Sequence, residues 1–247
     1  MRRRADLVLA ERGLAPSRQK ARALIQDGAV TFDGHSVQKP GQLVQPDADF
    51  HVDKTALRWA SRGGLKLEHA LATFSLSSLS GRICLDLGAS TGGFTDVLLS
   101  YGASFVYAVD VGHAQLVAHL AADKRVKNLE KTHAKELSEK LITQPLDLVV
   151  CDVSFISVTK ALGPALSLVL PGGWLVSLIK PQFEVGRAAI GKGGVVKTAE
   201  DLNRAIDIVR SFLEFQMGWQ VSSVIDSPII GSDGNREYFI AAQKPAD

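Results

Sequence analysis

Apolar and polar positions alternate along this chain in two styles. As far as about residue 55 the apolar stretches are short and broken by turn residues. Helical spacing runs from Ala5 to Arg12 and meets Gly13, a residue suited to the left-handed stop after a helix. Ser17 can cap a second helix over 18–27, ended by Gly28. Val30-Thr31-Phe32 predicts a strand, Asp33-Gly34 a hairpin turn, and His35–Val37 the start of the return strand. A polar stretch from Gln42 to Asp53, containing Pro46, follows. The pattern divides the chain into a small α+β domain over 1–57, a linker over 58–62 and a larger domain over 63–247.

From Arg62 onward strand and helix patterns take turns. A helix is predicted over Gly64–Phe74, a strand over Ile83–Leu87 and a helix over Gly93–Tyr101. Strand Phe105–Val109, a helix near Ala114–Ala121 and a weaker strand near Val126–Glu130 follow, then strand Leu146–Cys151. Helix Thr159–Leu170, a Pro-Gly-Gly turn and strand Trp174–Ile179 continue the series. Helix Glu200–Gln216 puts Leu202, Ala205, Ile206, Val209 and Leu213 on one stripe, with Thr198 as its cap. Strands Gln220–Ser227 and Glu237–Gln243 are close enough to form a terminal hairpin. Such alternation predicts an α/β fold with a doubly wound, mostly parallel sheet and an antiparallel strand at or near one edge.

Composition narrows the class. The 247 residues are 46% hydrophobic and 22% charged, enough to bury a core without staples. Only Cys84 and Cys151 occur, which excludes a disulfide scaffold and fits a reducing, cytoplasmic setting. No Cys/His spacing suggests a metal. The net charge of +2 hides an asymmetry: residues 1–25 carry seven Lys/Arg against two Asp/Glu, and the other 222 carry 21 against 24. A basic head on a mildly acidic body suits an anionic partner. Asp6, Glu11 and Arg12 deny the basic start an apolar signal-peptide core. The 19-residue uncharged run Ala161–Ile179 is interrupted by Pro164 and Pro171-Gly172-Gly173, so no stable membrane insertion is expected.

The candidate chemistry starts at Leu85-Asp-Leu-Gly-Ala-Ser-Thr-Gly-Gly-Phe94, between the first strand of the larger domain and its helix. Open α/β sheets bind ligands there. Phe94 after Gly93 rules out a Walker A loop, and the GxxxGG spacing differs from the GxGxxG of dinucleotide folds. An S-adenosylmethionine loop remains. Asp86 would face the methionine ammonium, and Asp110, 24 residues on, would accept the ribose hydroxyls.

Asp86-Leu-Gly-Ala-Ser-Thr-Gly-Gly-Phe-Thr95 resembles the cofactor loop of the TlyA (hemolysin A) family, a branch of the FtsJ-like RNA 2′-O-methyltransferases. The head resembles an S4 RNA-binding domain: Arg4-x-Asp6, Gly13, Ser17-Arg18-x-x-Ala21-x-x-x-Ile25-x-x-Gly28-x-Val30 and Asp33-Gly34. The resemblance spans nearly the whole chain. It implies a Rossmann-like methyltransferase sheet behind an S4 domain, with S-adenosylmethionine as cofactor and ribosomal RNA or ribosomal subunits as partner. It also implies cofactor contacts from Asp86, Gly88, Ser90, Gly92, Gly93, Phe94, Asp110 and Val111, and RNA contacts from Arg4, Arg18, Lys20 and Arg22. The family's Lys-Asp-Lys-Glu tetrad has candidates in Lys66, Asp152, Lys180 and Glu237. The chain departs from the family at His133-Ala134-Lys135, where Asn-x-Arg is frequent.

Methyl transfer to a 2′-hydroxyl needs alignment of the oxygen with the methyl carbon and removal of one proton. A lysine kept neutral by burial and a like charge can accept that proton; a charged lysine can instead stabilise the alkoxide. Either reading suits Lys180, with Lys66 as the neighbouring charge and the carboxylates orienting both amines. Asp152-Val-Ser-Phe155 lacks the Asn/Asp-Pro-Pro-aromatic sequence of exocyclic amine methylation. Cys84 and Cys151 read as core residues and not as the nucleophile of C5 methylation. Phe155 either packs in the core or stacks on a target base. The Glu184–Lys197 stretch, with Gly186, Arg187, Gly191, Lys192, Gly193, Gly194 and Lys197, is expected to be a mobile basic loop that orders on RNA. The rivals are a membrane-active cytolysin, which the family name suggests, and an RNA-binding protein with a non-catalytic Rossmann-like body.

Overall fold

The computed structural model describes every residue except Met1, Asp27, residues 54–57, Lys192, Ser232 and Asp247. Asp27 at the end of the second predicted helix, the last four residues of the predicted 1–57 domain and Lys192 of the basic loop therefore lie outside the described residues. The chain forms two compact units, Met1–Leu65 and Lys66–Asp247.

In the first unit, α1 (Ala5–Glu11) and α2 (Arg18–Gln26) occupy the predicted helical segments. The Lys20 amide donates to Ser17 Oγ at 3.1 Å, so Ser17 caps α2 as its side chain suggests. Asp33 at φ 47° and Gly34 at φ 78° turn the chain between β2 (Val30–Phe32) and β3 (His35–Ser36). Two positive φ values in succession are the demand that the Asp-Gly pair meets. Three short strands stand where none was predicted: β1 (Arg3–Arg4), β4 (Leu43–Val44) and β5 (Phe50–Val52). β1 pairs with β4, and β5 pairs with β2 in antiparallel register. Phe50 and Val52 are buried and His51 is exposed, an alternation too short to stand out. Residues 58–62, predicted as a linker, belong to this unit: Trp59 and Ala60 are buried, and Lys20 Nζ donates to both of their carbonyls.

The second unit starts within α3 (Gly63–Thr73). Its strands are β6 (Ile83–Leu87), β7 (Phe105–Val109), β8 (Val126–Leu129), β9 (Leu146–Cys151), β10 (Val169–Ile179), β11 (Gln220–Asp226) and β12 (Tyr238–Gln243). They form one sheet in the order β11-β12-β10-β9-β6-β7-β8. The five strands from β8 to β10 are parallel, and β12 runs antiparallel to both neighbours. Strand order reverses between β6 and β9, the switch point at which such sheets open a ligand crevice. The core is apolar on both faces of the sheet, with Leu85, Tyr107, Val149 and Leu175 buried on one and Cys84, Val106, Leu148 and Val176 on the other.

Three elements differ from expectation. The Pro171-Gly172-Gly173 turn does not end the helix-to-strand connection but lies inside β10, where the register with β9 shifts between Val169 and Trp174. α5 is only Ala118–Ala121. Ala114 has φ 52°, and the amides of Ala114 and Gln115 bond to Glu130 at 2.7 and 2.9 Å, so that stretch spends its donors on a side chain instead of a helix. The last long helix, α8 (Ala199–Ser211), is capped by Thr198 as predicted but widens into a π-turn over Phe212–Gln216. No helix among the described residues is long and apolar enough to cross a membrane.

Candidate active site

The β6–α4 turn meets the strand ends at the switch point, with α4 running over Gly93–Ser100. Asp86 is fully buried and accepts from Thr95 Oγ1 at 2.7 Å through Oδ2. Its other oxygen, Oδ1, is buried without a hydrogen-bond partner. Burial lifts the carboxyl to about 7; the Thr95 hydrogen bond opposes the rise, and nearby Asp152 and Asp110 add to it. A buried carboxylate oxygen without a donor is costly, and a ligand cation would satisfy it.

Gly88 and Gly92 shape the turn, at φ 89° and 98°. A Cβ on Gly88 would lie 2.6 Å from the Asp152 carbonyl oxygen, so the loop touches the backbone after β9 directly. Gly88→Ala combines a left-handed residue, about 1–2 kcal/mol, with overpacking, about 1–3 kcal/mol. We expect a loss of about 2–5 kcal/mol in urea unfolding.

Asp110 follows β7. Its carboxylate accepts from the Ser90 amide at 2.8 Å and the Gly112 amide at 2.6 Å. These bonds hold it beside the glycine turn, with Val111 exposed next to it. Gly93 and Phe94 open α4 and are buried, and the Phe94 ring stacks on Phe239 at 6.3 Å. Glu130, not singled out in the sequence, is held by the 114–116 amides and kept near pKa 2 by those bonds. The His133-Ala134-Lys135 stretch caps and forms a short 3-10 turn, its first amide donating to Glu136 at 3.0 Å.

The four tetrad candidates make two ion pairs. Lys66 Nζ lies 2.5 Å from Glu237 Oε2, with both side chains largely buried. Lys180 Nζ lies 2.6 Å from Asp152 Oδ1 and donates to Ser154 Oγ at 2.7 Å. The contact with Asp152 is close but falls outside hydrogen-bond geometry. Ile179 of β10 pairs with Tyr238 of β12, so Lys180 and Glu237 each stand one residue beyond that pair on adjacent strands. Asp152 follows β9 and donates its amide to the Leu87 carbonyl, bringing it to the end of β6. Three strand ends thus gather the residues that lie far apart in the chain.

A model of the FtsJ-like methyltransferases matches residues 59–244, and one of the S4 domain matches residues 3–50. The chain belongs to the FtsJ-like methyltransferase family. The 16S/23S rRNA (cytidine-2′-O)-methyltransferase TlyA of Mycobacterium tuberculosis is 42% identical over 247 residues, covering 100% of this chain and 91% of the relative. Hemolysin A of Brachyspira hyodysenteriae is 38% identical over 242 residues, covering 96% of this chain and 98% of the relative. A Streptococcus thermophilus structure carrying the hemolysin name aligns at a TM-score of 0.77 and 37% identity, over 99% of this chain and 89% of its own.

In this methyltransferase Phe155 is 90% exposed, which removes core packing as its role. It holds a left-handed φ of 66°, strained for an aromatic residue, with its ring 5.4 Å from Phe183. Cys84 and Cys151 are fully buried, and burial pushes both thiols up to about 12, so neither is a nucleophile. Missed by sequence reading is Glu184, half-buried in α7 (Pro181–Glu184), which accepts from Ser157 Oγ at 2.5 Å and the Val158 amide at 3.0 Å. Those bonds pin the loop that carries Ser154 and Phe155. In the S4 domain, Arg4 and Arg18 flank the buried carboxylate of Asp6 at 2.9 and 3.1 Å. They pull that acid down, the Arg4 hydrogen bond most. Both guanidinium groups keep solvent exposure and Arg22 is exposed, whereas the Lys20 amine is turned onto its own unit's backbone.

Proposed function

We propose that this chain methylates a ribose 2′-hydroxyl of ribosomal RNA, on cytidine, with S-adenosylmethionine as donor. The observation that carries the reading is the pair of Lys–carboxylate contacts at the strand ends that flank the glycine turn. The name of the 42%-identical M. tuberculosis relative supports the same reaction.

The residues present fit the cofactor. The partnerless Asp86 Oδ1 suits an ammonium, Gly88 and Gly92 give the turn its left-handed bends, and Asp110 is held to accept hydroxyls. Ser90, Gly93, Phe94 and Val111 complete that lining. S-adenosylmethionine supplies a methyl group already activated on a sulfonium. The chain's own residues supply orientation and charge. Lys180 meets the hydroxyl and takes its proton or steadies the negative oxygen. Asp152 and Ser154 aim that amine, and Glu237 does the same for Lys66. Phe155, exposed beside Lys180, offers a face for a nucleobase drawn from its stack. Arg4, Arg18 and Arg22 give the S4 domain its phosphate contacts. Lys20 is better explained as an internal tie.

The test is transfer of labelled methyl groups to ribosomal subunits and naked rRNA from a strain lacking this protein. Label that survives alkali in a dinucleotide is expected. Cofactor binding with no label on any subunit would overturn the rRNA acceptor. Neither label nor binding would favour the non-catalytic RNA-binding reading, and lysis of liposomes without cofactor would favour the cytolysin.

A further inference from the structure

The loop before Glu237 contains a fully buried polar side chain that the reaction does not use. Asn235 is 0% exposed. Its Oδ1 accepts the Val196 amide at 2.9 Å and its Nδ2 donates to the Gly194 carbonyl at 3.0 Å. One carboxamide thus completes both a donor and an acceptor on the Gly194–Val196 segment, and the Gly191 amide donates to the Val195 carbonyl at 3.0 Å. The Asn235 carbonyl accepts from the Gly231 amide at 3.0 Å. Gly231 is in turn the seat of the Glu237 carboxylate: a Cβ there would lie 2.5 Å from Oε1. The other oxygen of that carboxylate holds Lys66. A chain of contacts therefore runs from the glycine-rich basic turn through Asn235 and Gly231 to one ion pair of the tetrad.

We propose that Asn235 is a positioning residue for methyl transfer, setting the Lys66–Glu237 pair and tying its placement to the Gly194–Val196 segment. This rests on the ribose methylation reading above. Asn235 is too deeply buried to touch substrate, so its effect passes through Glu237. A burial-driven need alone explains why the carboxamide is satisfied; it does not explain why both of its partners lie on the basic turn and its backbone bond on the residue against which Glu237 sits. The turn itself is anchored at Val196, which is buried in the core, so the freely mobile loop expected from its glycines is restrained at one end.

The experiment is a double-mutant cycle on single-turnover methyl transfer to rRNA, with cofactor affinity measured on the same samples. Asn235→Asp keeps the acceptor for Val196 and loses the donor to Gly194. It is expected to slow transfer about tenfold or more, because small misplacements of reacting groups cost such factors, while cofactor affinity stays within about twofold. In a Glu237→Gln background the same change is expected to cost less than about twofold, since its route is already cut. Gly231→Ala leaves the Asn235 side chain alone and pushes on the carboxylate; it is expected to share the rate defect. Equal losses in both backgrounds, or a wild-type rate for Gly231→Ala, would overturn the positioning role. A wild-type enzyme that labels no rRNA would overturn the ribose methylation reading and this inference with it.

Discussion

Lys180→Ala is expected to lower methyl transfer by about 10³-fold or more, in the range of general acid–base and electrostatic contributions combined. Cofactor affinity should change by less than about threefold, because Lys180 contacts Asp152 and Ser154 and none of the glycine-turn residues. Single-turnover labelling and calorimetric titration with the cofactor separate the two quantities. Lys180→Arg then divides the two chemical roles. Arginine keeps the positive charge but does not give up a proton near neutral pH, and its planar fork differs from a point ammonium. Recovery to within about tenfold of wild type would assign Lys180 to charge stabilisation. A rate as low as the alanine variant's would assign it to proton removal. A Lys180→Ala enzyme at normal turnover would take this residue out of the reaction altogether.

The second large effect belongs to Asp86. Asp86→Asn should weaken cofactor binding by about 10²-fold or more, since removing one partner of a buried charge pair costs about 3–5 kcal/mol. Its pH behaviour follows from the carboxyl lying at about 7, chiefly through burial. A cationic ligand needs the ionised acid. Affinity should therefore fall about tenfold per pH unit below 7 and be level above it. Stability runs the other way. The folded pKa is raised above the unfolded value near 4, so the group's stabilising contribution is complete below about pH 4 and is lost as pH rises to about 7. Without cofactor, Asp86→Asn should then melt at or above the wild-type midpoint at pH 8. With saturating cofactor the order should reverse, because the wild type gains more from binding. Thermal unfolding of both proteins at pH 5 and 8, with and without cofactor, checks each arm. A variant that binds cofactor normally would exclude Asp86 from the ammonium site.

Much of the second unit is legible in its sequence because its signals are strong and local. β7 and β9 fall on the predicted residues, each an apolar run between turn residues. Thr198 and Ser17 cap helices through bonds three residues long. The weak points are elements whose reason is distant. β1 consists of two arginines and exists because Leu43 and Val44 lie beside it. The helix expected from Ala114 is cut to its last turn by a glutamate fourteen to sixteen residues on. Pro171-Gly172-Gly173 has turn chemistry, yet the ladders on both sides of β10 absorb it as a bulge, with Lys244 bonding to Gly173.

The site divides the same way. Residue types and spacing alone pointed to the two-part organisation, the glycine turn and the acids Asp86 and Asp110, and the resemblance to the FtsJ-like family supplied the four tetrad candidates, because motif chemistry is written in short stretches. Only the tertiary structure decided which lysine faces which carboxylate, that Asp86 keeps one buried oxygen unpartnered, that Phe155 stands exposed, and that Lys20 serves its own backbone. It also revealed Glu130, Glu184 and Asn235, whose side chains bond to backbone amides 14 or more residues away. Burial and ion pairing depend on what the folded chain brings to one place, and sheet order sets that: β6, β9, β10 and β12 are neighbours in space while more than 140 residues separate their ends in sequence.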